Sequence, residues 1–100
     1  MTFEQLQTEI VSWAELRGIM DSSDTKTQLL KTMEELGETA RAVLKNNRDD
    51  LIDGLGDTIV TLIIASELSG LNLVSCLESA FNVISNRKGV MKDKVFIKNE

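Results

Sequence analysis

Arg48–Ser69, RDDLIDGLGDTIVTLIIASELS, is acidic in its first half and apolar in its second. It contains no proline, nor does the rest of the chain. Proline removes a helical hydrogen bond and clashes with the preceding turn, so its absence fits an all-helical chain. From Ile59 to Ala65 the segment is apolar almost all round, and a helix apolar on every side is usually covered on every side. Four helices in 100 residues cannot easily surround it. The pattern therefore predicts an all-α, four-helix bundle completed by a second subunit, as a homodimer or a dimer of dimers.

Working outward, three further helices are legible. The first is expected over Phe3–Arg17, with Thr2 and Gln5 as a capping box and Phe3, Leu6, Ile10, Trp13 and Leu16 at helical spacing. Gly18 ends it, and Ile19–Asp24 reads as a loop. The second runs over Thr25–Lys45. Its apolar set is Leu29, Leu30, Met33, Leu36, Ala40, Val43 and Leu44, while Lys31, Glu34, Glu35 and Glu38 share the opposite side. Asn47 caps Arg48–Ser69 and Gly70 ends it. Asn72 caps a last helix, Leu73–Lys88, with a stripe of Leu73, Leu77, Ala80, Phe81 and Ile84, and Gly89 stops it. The tail Val90–Glu100 is less regular, and Arg87–Glu100 carries five basic residues against two acidic ones.

The composition narrows the function. One hundred residues make one domain, 1–100. The net charge of −5 argues against binding a nucleic-acid polymer, which needs clustered Lys and Arg. It leaves room for a nucleotide, because a metal ion can mediate between acidic protein and phosphate. Cys76 is alone, so no intrachain disulfide forms, and a reducing cytoplasmic setting is the simplest reading. The N-terminus is acidic and amphipathic, unlike a signal peptide. The run IVTLIIA is too short to cross a bilayer, so no membrane partner is expected.

The acidic residues carry the chemistry. Glu34 and Glu38 are four apart and Glu35 and Glu38 three apart, which makes neighbours on one helix face. Asp50, Asp53 and Asp57 lie along one line of the third helix. Antiparallel packing across the short Asn46–Asn47 turn would let the two acidic lines face each other. Asp57 opens the apolar half, so it is expected to be partly buried and to need a partner. Carboxylate oxygens without nitrogen or sulfur ligands suit Mg²⁺, with Mn²⁺ as a substitute. The chain has no histidine, which sets aside the di-iron bundles built on Glu-x-x-His. The plainer alternative is a solvated glutamate face, with Lys31, Arg41 and Lys45 pairing the acids and Asp50 and Asp53 favouring the helix N-terminus.

EELGE at 34–38, followed after a turn by DGLGD at 53–57 and an aliphatic run, resembles the MazG-like nucleoside triphosphate pyrophosphohydrolases of the all-α NTP pyrophosphatase superfamily. The family pattern is Glu-Glu-x-x-Glu, a gap, then Glu-x-x-Asp. Glu34, Glu35 and Glu38 fill the first half and Asp57 the last position. WAELRG at 13–18, LLKTMEELGETARAV and SNRKGVM extend the resemblance to small single-domain members, which are often phage-encoded. One position departs: Gly54 stands where the family has its second-motif Glu. Asp53, one residue earlier, could supply the carboxylate.

The resemblance implies Mg²⁺-dependent cleavage of a nucleoside triphosphate between its α and β phosphates, giving monophosphate and pyrophosphate. Glu35, Glu38 and Asp57 are the first choice as metal ligands. Glu34 and Asp53 serve as further ligands or orient the attacking water. Lys31, Arg87 and Lys88 are candidates for the phosphate charge, and Asn82 or Asn86 for hydrogen bonds to substrate. Trp13, the only tryptophan, either stacks on a base or anchors the first helix in the core. The alternative of another class is a non-catalytic helical dimer that keeps the fold and binds a nucleotide or a protein. Gly54 is the feature that keeps it open. A nucleic-acid-binding bundle using the basic tail is disfavoured by the acidic remainder.

Overall fold

The computed structural model describes all 100 residues. Five helices precede a small hairpin: α1 (Phe3–Leu16), α2 (Ile19–Ser22), α3 (Thr25–Leu44), α4 (Arg48–Leu68), α5 (Leu73–Ile84), β1 (Gly89–Lys92) and β2 (Val95–Lys98). The fold is all-α apart from that hairpin. No single helix is long and apolar enough to cross a membrane.

Local chemistry sets the helix starts. The Thr2–Gln5 capping box is complete, with Gln5 N donating to Thr2 Oγ1 at 3.1 Å and Thr2 N donating to Gln5 Oε1 at 2.8 Å. Asn47 and Asn72 accept from Asp50 N and Ser75 N, satisfying free donors of α4 and α5. Gly18 and Gly70 take positive φ after α1 and α4, a conformation that glycine adopts without steric penalty.

Asp24 caps α3 by accepting from Thr27 N at 2.8 Å. That bond, reinforced by the Thr27 side chain, holds its carboxyl below the ordinary aspartate value of 3.8. A depressed folded-state value stabilises the fold above the unfolded value and loses the effect as pH falls through the folded one. Asp24→Asn should therefore melt like the parent near neutrality less a small constant, and lose less of its melting temperature than the parent between pH 5 and pH 2. Parallel acid-side loss in both proteins would refute this role.

The α3–α4 pair is the main packing unit. The helices run antiparallel through the Lys45–Asn47 turn, and their register can be read from three contacts two helical turns apart. Thr25 Oγ1 meets Ser69 Oγ at 3.0 Å, Thr32 Oγ1 meets Thr61 Oγ1 at 2.7 Å, and Thr39 lies against Gly54. Small residues bring the two backbones close. α1 packs across α4, and Gln7, buried, accepts from Val74 N at 3.1 Å, which ties α1 to the first turn of α5.

Several sequence expectations are corrected here. Ile19–Ser22 forms a single helical turn rather than a loop. α5 ends at Ile84, not Lys88, because Ser85–Lys88 turns away before Gly89, which opens a strand instead of stopping a helix. The tail is a two-residue β-hairpin, with Asp93 and Lys94 both at positive φ (49° and 70°) and Lys92 paired with Val95. Positive φ at both turn positions is the turn that matches strand twist.

The larger correction concerns the apolar stripes. Only ten residues are buried, and the buried positions of α3 are Thr32, Thr39 and Ala42. Leu29, Leu30, Met33, Leu36, Val43 and Leu44 point outward, as do Leu77, Phe81 and Ile84 of α5. On α4, Thr61, Ile63, Ile64 and Ala65 are buried, but Ile59 is exposed. The helical periodicity was real. The surface it pointed to is not one this chain covers by itself.

Candidate functional site

The antiparallel register of α3 and α4 sets the two acidic lines on either side of one cleft. It is lined by Glu35, Glu38, Arg41, Ala42 and Lys45 from α3 and its cap, and by Asp50, Asp53, Gly54 and Asp57 from α4. Five carboxylates thus share a cleft with two cations. Its floor is formed where Gly54 lies under Thr39, whose hydroxyl donates to Glu35 O at 2.7 Å. A carboxylate-rich cleft over a small-residue seam is open to a solvated, charged ligand.

The acids differ in setting. Glu35 is the recessed one, its side chain 14% exposed against 60% for Glu34. Lys31 lies 3.7 Å from both and bridges them on the solvent side of α3. Glu34 stands outside the cleft. Asp50 is held by Asn47, which donates from Nδ2 to Oδ2 at 2.8 Å, so the residue that caps α4 also orients a cleft carboxylate. Asp57 is exposed, not partly buried as its place before the apolar run suggested. The apolar residues after it turn to other faces of α4, and the face holding Asp57 looks into the open cleft.

No three carboxylates converge tightly enough to enclose a cation. The donor set itself, oxygen only and drawn from two facing helices, is that of a hard divalent cation.

The remaining sequence candidates lie elsewhere. Trp13 is 46% exposed on α1 and does not line the cleft. Asn86 Nδ2 donates to Asn82 O at 3.2 Å, closing the end of α5. Arg87 and Lys88 are exposed on the turn that follows. The cations that do line the cleft, Arg41 and Lys45, were read from sequence only as partners for acids, while Asp50 lies in it as a member of the acidic line of α4. The signal was present: Glu38, Arg41 and Lys45 recur at three and four residues along one face of α3.

A second groove adjoins the first. It is apolar, lined by α1 residues such as Leu6 and Ile10 and α4 residues such as Ile52 and Ile59, and Asp53 and Asp57 stand on its rim. The two aspartates therefore divide an acidic cleft from an apolar groove.

Residues 23–91 match the MazG nucleotide pyrophosphohydrolase domain. The chain belongs to the MazG nucleotide pyrophosphohydrolase family. The matched region takes in both acidic motifs, all of the α3–α4 cleft and α5. The chain is also 37% identical, over 71 residues, to an uncharacterized 18.2 kDa protein from the rep-hol intergenic region of Haemophilus phage HP1 (strain HP1c1). That alignment covers 71% of this chain and 44% of the phage protein, so the chain spans less than half of its relative's length. No solved structure matches it significantly.

Proposed function

We propose that this MazG protein hydrolyses nucleoside triphosphates, ribo- or deoxyribo-, to the monophosphate and pyrophosphate, with Mg²⁺ or Mn²⁺ held in the α3–α4 cleft. The observation that carries the reading is the meeting of Glu35, Glu38, Asp53 and Asp57, from both halves of the family's motif, in one cleft. Glu35, Glu38 and Asp57 are the ligands of choice, and Asp53 stands in for the carboxylate that Gly54 lacks. Asp50 is close enough along α4 to join them. A bound divalent cation there would neutralise triphosphate charge and acidify a water.

The chain's own groups supply the rest. An acid not engaged as a ligand accepts the proton of the attacking water as its oxygen bonds to the α phosphorus. The bond from that phosphorus to the bridging oxygen breaks, and pyrophosphate leaves. Arg41 and Lys45 line the same cleft and would complement phosphate charge there, and a guanidinium can hold two phosphate oxygens at once. Lys31, paired with Glu34 and Glu35, serves better to position Glu35 than to bind substrate.

Self-association belongs to the same reading. The outward apolar stripes of α3 and α5 are surfaces that water penalises, and a second copy would bury them. The work would take place in the cytoplasm, where nucleotides are found, and exposed Cys76 is compatible with a reducing compartment.

Incubation with a panel of NTPs and dNTPs, with Mg²⁺ or with EDTA, tests the reading. Monophosphate and pyrophosphate, lost in EDTA, are expected. Diphosphate and orthophosphate would mean another phosphatase chemistry, and no turnover would favour a binding module of the same fold. Arg41→Ala should raise KM by about tenfold, the usual weight of one charge-assisted phosphate contact. An unchanged KM would remove Arg41 from the site.

A further inference from the structure

The C-terminal hairpin is poorly explained by the chain that carries it. β1 and β2 pair with each other, and no helix packs on them to a comparable degree. Paired residues across the strands share a face. One face carries Val90, Lys92, Val95 and Ile97, and the other Gly89, Met91, Phe96 and Lys98. Phe96 lies over Gly89, yet both faces leave apolar side chains exposed: Met91 and Phe96 on the second, and the larger set of Val90, Val95 and Ile97 on the first. A lone two-stranded hairpin is marginal in water and needs another layer against it.

The fold holds this hairpin away from its own apolar groove. α5 leaves α4 at 102°, and β1 begins beyond the far end of α5. The radius of gyration is 15.9 Å, where a compact chain of this length would have about 13 Å. The segment from Arg87 to the C-terminus has five cations and two acids, while the α3–α4 cleft has five acids and two cations. One copy therefore presents an apolar, positively charged arm. It also presents an apolar groove rimmed by Asp53 and Asp57.

We propose that the β1–β2 hairpin is an exchanged arm: its Val90–Val95–Ile97 face seats in the α1–α4 groove of a second copy, and Lys92 is carried to that copy's Asp53 and Asp57. Under two-fold symmetry each chain gives one arm and receives one, so the contact is made twice and closes. The charge on the arm and on the rim sets the orientation of docking. Each acidic cleft then gains a cation from the other subunit, beside the position of the triphosphate. This last consequence rests on the pyrophosphohydrolase reading; the exchange itself does not.

The test needs neither nucleotide nor metal. Sedimentation velocity should show the parent self-associating, and the hairpin variant Val90→Asp/Ile97→Asp should weaken association by about tenfold or more, as loss of buried central anchors does. The groove variant Ile52→Lys, at an exposed site, should do the same, and circular dichroism should find both as helical as the parent. Mixing the two variants should restore part of the affinity, because the mixed pair joins an intact arm to an intact groove. A monomeric parent, a hairpin variant that associates like the parent, or a mixture no tighter than its components would overturn the exchange. Lys92→Ala should leave association largely in place and raise KM; an unchanged KM would remove the shared cation while leaving the arm.

Discussion

Asp57→Asn should lose at least about a hundredfold in Mg²⁺-dependent nucleotide hydrolysis while folding as stably as the parent, because a ligand carboxylate acts on the transition state and not on the fold. The two effects separate here because Asp57 is exposed and its side chain makes no hydrogen bond or ion pair. Surface substitutions of that kind shift stability by no more than about 0.5 kcal/mol. The asparagine keeps the shape and removes the charge. Glu38→Gln, from the opposite wall of the cleft, should behave alike. The double variant should lose little more than either single one, since residues that hold one ion act as a unit. Mn²⁺ binding followed by electron paramagnetic resonance gives a second readout, and both variants should bind more weakly. A variant that turns over at the parent rate and binds Mn²⁺ normally would place the catalytic cation outside this cleft.

Features decided by local chemistry were legible in the sequence. The caps at Thr2, Asn47 and Asn72 need only a side-chain oxygen at the right offset, and each is formed. The facing of the acidic lines followed from a short turn and a helical period, and Glu35, Glu38, Asp53 and Asp57 do share a cleft. The hairpin was hidden for a physical reason. Its strands have four residues each, both faces carry apolar side chains, and its turn is Asp93–Lys94 without the glycine that usually marks positive φ. The direction of the stripes on α3 and α5 was hidden for another reason. Periodicity shows that a face avoids water, but not whether the covering surface belongs to the same chain. Here α3 meets α4 through Thr32, Thr39 and Ala42, residues whose small size counts for more than their polarity. A hydropathy pattern undervalues such seams.

Gly54→Glu, which would restore the family's motif to the letter, should damage the protein instead of improving it. A Cβ at position 54 would collide with Thr39 Oγ1 and lie 3.0 Å from Thr39 Cβ and 3.2 Å from Thr39 Cα. The hydroxyl is tied to Glu35 O and the backbone of α3 cannot swing aside as a long side chain can. Either α3 moves away from α4 or the new side chain is strained. Overpacking of this kind costs about 1–3 kcal/mol, and a glutamate emerging from a buried helix contact adds the penalty of a poorly solvated charge. Alanine at the same position recovers up to about 1 kcal/mol in helix propensity, so it should be the milder change. Thermal melts should order the proteins parent, Gly54→Ala, Gly54→Glu, with about 4–8 °C lost per kcal/mol in a domain this size. Thr39→Ala should relieve part of the loss in either background, since it removes the nearest atom. Moving α3 also moves Glu35 and Glu38 against Asp57, so hydrolysis should fall with stability. A Gly54→Glu protein as stable as the parent and faster would show that the helices part readily at this point and that position 54 is a ligand site left empty. In the structure the glycine instead has a packing role: it lets the two carboxylate-bearing helices approach closely.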